Sequence, residues 1–259
     1  MPTVTVLEKI YGSGPPGTFE TTYSSLCRGL KVKLGFAGTT ERGWVQMDVS
    51  GEDETAALSF LDREIGLAPV SADKVTKFSV FRGKVVVSGN SVSELLVDLG
   101  IYSPKNCDAV LSVQGFRAQL TDGKEVPLQR LVELFCLVEN LPLEVKVVED
   151  VEEQGKTVKA RLSEAQVILF SSWISYQVDR LIILGAPFSD VERAVKLSRY
   201  YWDIIRVESL GTLEQVILCK LGTDAVGLIP KVGRFLPDAI LLPFSPKKIL
   251  EAVDSSSFY

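Results

Sequence analysis

The 259-residue sequence contains no histidine. Histidine is the commonest general base near neutral pH and the commonest transition-metal ligand in proteins. Its absence excludes Ser-His-Asp and Cys-His catalysis and the His-Glu-x-x-His zinc site. Chemistry that uses carboxylates, lysine, tyrosine or carboxylate-bound magnesium remains open. Because no other group of residues forms a recognisable catalytic centre, we expect a protein that is not an enzyme and needs no cofactor.

Cysteine is scarce, and its spacing does not suit metal binding. The four residues are Cys27, Cys107, Cys136 and Cys219, and no two of them form a Cys-x-x-Cys pair. That spacing argues against a disulfide framework and against a thiolate metal site. We therefore expect small core residues in a reducing compartment, and no bound metal.

Targeting and membrane signals are also lacking. Residues 1–5 show no cationic stretch ahead of an apolar one, unlike a signal peptide. The longest apolar-rich segment, 167–184, is interrupted by Ser, Gln, Asp and Arg, which a lipid-facing span tolerates poorly. We therefore predict a buried helix over 167–184, a cytoplasmic location and no membrane partner.

The composition is that of a folded protein, with 46% hydrophobic and 24% charged residues. The length favours two or three compact units over one. The net charge of -5 means that a nucleic-acid partner requires a local basic patch, because the protein as a whole repels phosphate.

The first third alternates between strand and helix patterns. Residues 3–11 begin with a period-two pattern and end at a Gly/Pro stretch. Apolar residues then recur at helical intervals, at Phe19, Tyr23, Leu26 and Leu30. Strand patterns at 31–36 and 44–50 precede a second helix. The order β-α-β-β-α predicts a ferredoxin-like domain over 1–70, with a last strand near Val70.

The middle of the chain is rich in strand patterns. We predict strands over 75–87, 94–99, 108–112, 143–150 and 157–162, which suit a five-stranded OB-type barrel over 71–163. A helical segment at 128–137 interrupts them. Its apolar face could plug one end of the barrel and consists of Leu128, Leu131, Leu134 and Phe135.

The last third, 164–259, begins with helix signals. Ser163 with Gln166, and Ser189 with Glu192, have the spacing of a capping box. We predict a helix pair followed by antiparallel strands at 204–209, 215–221, 226–229 and 239–242, with a loose tail from Asp254. The predicted fold class is therefore α+β, with a mixed α/β C-terminal domain.

Two glycine-rich loops invite a phosphate-binding interpretation. Residues 12–17 match the dinucleotide fingerprint Gly-x-Gly-x-x-Gly, but Pro15-Pro16 removes two backbone donors that a pyrophosphate needs. Residues 222–225 lack the Gly-Lys-Ser/Thr of a P-loop, and a lone aspartate is a poor magnesium site. We favour a plain Gly/Pro loop for the first and a hairpin turn between two strands for the second.

Short motifs in the middle region resemble the S1 family in their order along the chain. They are Gly83-Lys84-Val85, Val97-Asp98-Leu99-Gly100, Val145-Lys146-Val147 ahead of an aspartate, and Leu162-Ser163. The likeness covers roughly a third of the chain. It implies an S1/OB-like β-barrel that binds RNA.

The S1 resemblance implies base-stacking aromatics on the second and third barrel strands, but residues 88–93 contain none. The candidate RNA-binding residues are the nearby cations and two aromatics, namely Arg82, Lys84, Tyr102, Lys105, Phe116, Arg117 and Lys124. Ordinary solvated surface is the alternative interpretation of the same residues.

A second candidate surface lies in the last third. Arg193, Lys196 and Arg199 have helical spacing and adjoin the aromatic run 200–202. They could form a basic helix face with a stacking platform. We favour the alternative, in which the aromatics face the core and the cations face solvent.

The chain as a whole resembles a domain-of-unknown-function family of archaeal proteins. Leu210-Gly211 and the runs 219–234 and 243–248 carry this resemblance. It implies a ferredoxin-like N-terminal part and an S1-like middle, and it implies no chemistry.

These observations predict a non-catalytic RNA-binding protein of translation or RNA metabolism, with the barrel as its contact and RNA or a ribonucleoprotein as its partner. One alternative is a protein-interaction adaptor that uses the barrel as a scaffold. The other is a histidine-free enzyme, for which Asp98, Asp224 and Lys220 are the residues to test. The oligomeric state stays open.

Overall fold

The structure is a computed structural model that describes residues 3–11, 16–68, 75–86, 94–101, 106–149 and 157–255. Within these ranges the chain is α+β, with eight helices and three sheets, and one of the sheets closes into a barrel. Among the described residues, no helix combines the length and the apolarity that a membrane crossing requires.

The N-terminal sheet carries two helices. Its elements are β1 (Thr3–Lys9), α1 (Pro16–Leu26), β2 (Val32–Thr39), β3 (Trp44–Gly51) and α2 (Glu54–Glu64). The strands are antiparallel in the order β1-β3-β2. After α2, Leu67 makes a single antiparallel bridge to Val6 of β1. The strand predicted near Val70 falls on residues 69–74, outside the described part of the chain.

A closed barrel follows. Its strands are β4 (Val80–Val86), β5 (Glu94–Ile101), β6 (Cys107–Ser112), β7 (Pro142–Val147) and β8 (Thr157–Leu162). The order around the barrel is β4-β5-β6-β8-β7. β6 and β8 run parallel, and the other neighbouring strands are antiparallel. The predicted five-stranded barrel is therefore confirmed.

Two helices lie between the third and fourth barrel strands, α3 (Val113–Leu120) and α4 (Leu128–Phe135). The apolar face of α4 is buried in the barrel core as predicted. Helix α3 was not predicted, and it begins where the side chain of Ser112 accepts a hydrogen bond from the amide of Gly115.

The remaining elements form a four-stranded antiparallel sheet and its helices. They are α5 (Glu164–Ser175), β9 (Arg180–Leu184), α6 (Phe188–Ser198), β10 (Ile204–Ser209), β11 (Glu214–Cys219), α7 (Ala225–Val232), β12 (Ile240–Phe244) and α8 (Pro246–Ser255). The strand order is β10-β11-β9-β12. One face of this sheet packs against the barrel core, and the other packs against α6 and α7.

The helix predicted over 167–184 is wrong in its second half. Helix α5 ends at Ser175, and 180–184 form strand β9, in which every residue is buried. A strand that is covered on both faces reads as a continuous apolar run, so its sequence lacks the alternation of a half-buried strand. Ser163 caps α5 as predicted, accepting from the amide of Gln166 at 3.0 Å. Ser189 is not a cap, because α6 begins at Phe188 after Pro187.

The strand predicted at 226–229 is also wrong, because these residues belong to helix α7. The carboxylate of Asp224 accepts from the amide of Val226 at 3.0 Å and caps the helix. Residues 222–225 are therefore a helix start and not a hairpin turn. Helix α8, which runs to Ser255, replaces part of the predicted loose tail, and residues 256–259 lie outside the described ranges.

Aromatic contacts join the barrel to the C-terminal sheet. The ring of Phe135 on α4 lies 5.4 Å from that of Phe170 on α5, and Trp173 lies 5.1 Å from Phe244 of β12. Edge-to-face pairs of this kind contribute about 0.5–1.5 kcal/mol each beyond their buried area. The barrel and the C-terminal sheet consequently share one core.

Candidate functional site

Two of the predicted RNA-contacting residues are buried. Lys84 of β4 is 2% exposed, and Phe116 of α3 packs in the barrel core. The alternation of β4 turns Lys84 toward the neighbouring sheets, where its ammonium finds two carboxylates. Burial corrects both assignments, because neither side chain reaches a surface that RNA could contact.

The other described barrel candidates contact different parts of the molecule. Arg82 is exposed, with its Nε 3.8 Å from Glu144. The Nε of Arg117 donates to the carbonyl of Val126 at 2.8 Å, and the Nζ of Lys124 donates to the carbonyl of Val253 at 2.9 Å. Arg117 and Lys124 therefore hold the end of α3 and helix α8 in place. Tyr102 and Lys105 lie outside the described residues.

The cations predicted on helix α6 do lie on its exposed side. Arg193 pairs with Asp190 at 3.0 Å, and Lys196 lies 3.8 Å from Glu192. These pairs make the face mixed in charge and not basic. Arg199 is exposed and ends the helix in the left-handed conformation.

Two of the three aromatics in the run after α6 face solvent. Tyr201 is 48% exposed and Trp202 is 69% exposed, and their ring centroids lie 4.5 Å apart. The interpretation of these aromatics as core residues is therefore wrong for Tyr201 and Trp202, whereas Tyr200 is partly buried and packs against the core of the C-terminal sheet. Helix α6 ends at Ser198, and 201–203 form a separate 3₁₀ turn that leaves the apolar face of the helix. We call Tyr200, Tyr201 and Trp202 the aromatic surface.

A lysine that was not predicted adjoins the aromatic surface. The Nζ of Lys231 lies 3.8 Å from the ring centroid of Tyr200, a cation–π contact. Lys231 was missed because α7 was taken for a strand. The sequence does contain a signal for α7. Aspartate is favoured at helix N-caps, and Asp224 directly precedes an apolar run, which together predict a helix that would carry Lys231.

Three buried side chains and the partly buried Tyr11 meet where the three sheets come together, and we call them the buried cluster. They are Glu8 of β1, Tyr11, Lys84 of β4 and Glu214 of β11. Lys84 Nζ lies 2.9 Å from Glu8 Oε2 and 2.8 Å from Glu214 Oε1. The hydroxyl of Tyr11 donates to the same Glu214 oxygen. Glu8 follows Val4 and Val6 at period two, so its inward position could have been recognised from the sequence.

Burial dominates the electrostatics of this cluster. Burial and the neighbouring Glu8 raise the pKa of Glu214, and although Lys84 and the Tyr11 hydroxyl lower it, the resulting pKa is about 7. Burial lowers the pKa of Lys84, but attraction to Glu214 and Glu8 outweighs it, so the pKa is raised. Burial and the neighbouring Glu214 also raise the pKa of Tyr11. Lys84 is therefore charged and Tyr11 is protonated at neutral pH.

A second buried network joins the N-terminal sheet to the barrel through Asp98. Asp98 Oδ2 lies 2.8 Å from Lys9 Nζ and accepts from Trp44 Nε1 at 3.0 Å. Asp98 Oδ1 accepts from the amide of Gly100 at 2.9 Å. These bonds give Asp98 a structural role, just as Asp224 has one as a helix cap. Lys220, the third residue considered for an enzyme, is exposed.

Within the described ranges, no three Cys, Asp or Glu side chains come together as a potential metal cage. The two carboxylates of the buried cluster instead share the single ammonium of Lys84.

Two family models match the chain. Residues 85–174 match the DUF2110 central domain, and 178–242 match the DUF2110 C-terminal domain. Together the matches cover more than half of the 259 residues, including most of the barrel and the aromatic surface, and the N-terminal sheet lies outside both. A search of curated proteins finds no match.

Proposed function

The chain belongs to the DUF2110 family, and we propose that it is a non-catalytic RNA-binding protein acting in translation or RNA metabolism. The observation that carries the proposal is the exposed pair Tyr201 and Trp202, with cations close by. Membership of the family does not identify a ligand.

The aromatic surface suits stacking on nucleic-acid bases. Two large rings stand in solvent within 4.5 Å of each other, and each base stacked on such a ring contributes about 1–3 kcal/mol. Lys231 lies on the ring of the neighbouring Tyr200, and the exposed Arg199 directly precedes Tyr200 in the chain. The amide of Lys220 donates to the carbonyl of Asp203, the residue after Trp202. Because the chain has a net charge of -5, it can contact phosphate only where cations are concentrated locally.

The principal contact therefore moves from the barrel to the C-terminal sheet. With Lys84 and Phe116 buried, the described barrel candidates that remain are Arg82 at the surface and the two structural cations Arg117 and Lys124. Arg82 could extend the RNA path onto the barrel, although the carboxylate of Glu144 nearby partly offsets its positive charge.

We also propose finer fold assignments. The barrel order β4-β5-β6-β8-β7, with helices between its third and fourth strands, supports an S1/OB classification. The order β1-β3-β2 with the Leu67 bridge beside β1 supports a ferredoxin-like N-terminal unit. Four free, buried cysteines support a reducing, cytoplasmic location.

A protein-interaction adaptor is the second candidate. Strand β10 is an edge of its sheet, and Ile205 on it is exposed, as are Leu197 and Leu221 on neighbouring elements. An exposed edge strand with apolar side chains suits a protein partner as well as RNA.

Binding of a fluorescein-labelled single-stranded RNA, followed by fluorescence anisotropy, tests the proposal. We expect salt-sensitive binding, and we expect the double variant Tyr201→Ala/Trp202→Ala to weaken it by about tenfold or more. Tyr176→Ala is the matched control, because Tyr176 is as exposed as Trp202 but lies at the end of α5.

No binding at low salt, or equal affinity of the double variant and the wild type, would reject the RNA surface. Partners that stay bound in pull-downs after nuclease treatment, and that the double variant loses, would favour the adaptor.

A further inference from the structure

Strand β10 has a free edge. It is the first strand in the order β10-β11-β9-β12, and within the described ranges no other strand pairs with its outer side. Its register with β11 is unbroken from Arg206 to Ser209. The outer backbone groups of a regular edge strand are a template for pairing with another chain.

A hydrogen bond at the end of β10 shows which of its backbone groups point outward. The amide of Leu210 donates to the carbonyl of the first residue of β11 at 2.8 Å, so position 210 faces β11. Because backbone groups alternate along an antiparallel strand, Arg206 and Glu208 also direct theirs toward β11. The amides and carbonyls of Val207 and Ser209 therefore lie on the outer edge.

The charges on β10 are self-complementary. Arg206 and Glu208 lie on one face of the strand, where Arg206 donates to Glu208 at 2.6 Å, and both side chains reach solvent. Two antiparallel copies of β10 that pair about Val207 place Arg206 of each copy opposite Glu208 of the other. In this arrangement Val207 of each copy exchanges both backbone hydrogen bonds with its counterpart.

Charge also selects this register over its neighbours. Pairing centred on Arg206 opposes two arginines, and pairing centred on Glu208 opposes two glutamates. Like charges directly opposite one another destabilise an antiparallel pair. The register centred on Val207 avoids both contacts, so a second copy of the same strand fits this edge in one way.

Exposed apolar side chains lie in the same region of the surface. Ile205 of β10 is 52% exposed, and Leu197 of α6, the helix that packs against β10, is 53% exposed. Apolar side chains gathered at one part of a surface mark interaction sites, because their burial favours association. The region around β10 therefore offers apolar area as well as complementary charge.

We propose that two copies of this chain associate through β10 as a two-fold dimer. The strands pair antiparallel about Val207 and join the two C-terminal sheets into one sheet of eight strands, four from each copy. Arg206 of each copy forms an ion pair with Glu208 of the other. Residues 201–203 immediately precede β10, so the two aromatic surfaces lie near opposite ends of the paired strands. The dimer does not require RNA and goes beyond the proposed function.

Sedimentation equilibrium of the full chain without RNA tests the dimer. We expect the mass to rise from the 28.4 kDa of one chain toward twice that value as the concentration reaches about 100 μM. Arg206→Glu and Glu208→Arg each place like charges across the interface, so each should weaken dimerisation by at least about tenfold.

Mixing the two single variants separates an interface from a folding effect. Each variant loses the pair between Arg206 and Glu208 within its own chain, but a heterodimer of the two variants places opposite charges at both crossings. The equimolar mixture should therefore dimerise about as tightly as the wild type, although neither variant does so alone. A change confined to one chain cannot produce this recovery.

Arg130→Glu is the matched control. Arg130 lies on α4, away from β10, is 50% exposed at its side chain and pairs with Glu133 at 3.0 Å. The control reverses a charge and breaks an exposed local pair, as Arg206→Glu does. It should leave the dissociation constant of the dimer unchanged within about twofold.

A wild-type chain that stays monomeric at the highest concentration would overturn the proposal and leave the edge of β10 to a different chain or to RNA. An unchanged dissociation constant for either single variant, or a mixture that does not recover dimerisation, would overturn it as well. Because RNA is absent throughout, none of these outcomes bears on the RNA-binding proposal.

Discussion

The ammonium of Lys84 lies 2.8 Å from the carboxylate of Glu214, although the two residues are 130 positions apart in the chain. Both side chains are buried, one on the first barrel strand and the other on a central strand of the C-terminal sheet. Glu8 of the N-terminal sheet completes the arrangement. A single lysine thus links all three sheets.

Replacing this lysine should strongly destabilise the protein. Lys84→Met leaves Glu8 and Glu214 buried without their cation, and breaking a buried ion pair in this way costs about 3–5 kcal/mol. Urea unfolding measures the change in the free energy of unfolding. Lys220→Met, at an exposed position, is the control and should change stability by less than about 0.5 kcal/mol. A loss below about 1 kcal/mol for Lys84→Met would show that the buried pairing contributes little.

The pH dependence of stability should carry a contribution from Glu214. The groups that face its carboxylate are Glu8, Lys84 and Tyr11. Because the folded-state pKa is raised from 4.5 to about 7, the folded protein holds this proton more tightly than the unfolded chain. The stabilising contribution is therefore complete below about pH 4.5 and is lost as the pH rises through about 7.

Comparison of the wild type with Glu214→Gln isolates this contribution, because the variant cannot titrate at that position. The difference between their free energies of unfolding should shift in favour of the variant as the pH rises across the same window. Denaturant unfolding at a series of pH values measures it. A difference that stays constant with pH would contradict the assignment.

The glycine of the Gly-x-Val motif should resist substitution. A Cβ added at Gly83 would lie 2.5 Å from the carbonyl oxygen of Asp98 and 2.6 Å from Val97 Cγ1. Gly83→Ala therefore forces β4 and β5 apart and should cost about 1–3 kcal/mol. Gly35→Ala in β2 is the control, because a Cβ there meets nothing within 4 Å. Thermal unfolding of both variants distinguishes a local clash from a general effect of alanine, and equal stabilities would argue against a close strand contact.

The barrel could be predicted because its strands obey local rules. In β8, every second residue is buried, at Val158, Ala160 and Leu162, and this alternation is written directly in the sequence. The apolar face of α4 repeats at helical intervals in the same way. Strand β9 and helix α7 failed the same test. Both are short apolar runs, and periodicity over so few residues does not separate strand from helix. Every residue of β9 is buried, whereas only Ala225, Leu228 and Val232 of α7 are.

The candidate sites were less predictable than the fold. Lys84 and Trp202 have the residue types expected of a nucleic-acid surface, but one is buried and the other is exposed. Nothing within a few residues of either position distinguishes them. Exposure depends on which other element covers a side chain, and the covering elements lie far away in the sequence.

By itself the sequence determined that histidine chemistry is excluded, that five strands with an interruption form a barrel, and that Ser163 begins a helix. These are properties of composition and of local pattern. Only the tertiary structure decided that Lys84 serves as a buried counter-ion and that, among the described residues, one buried oxygen of Glu214 has no hydrogen-bond partner. The physical reason is that burial and ion pairing depend on contacts between sheets. These contacts bring together charged residues that are distant in the sequence.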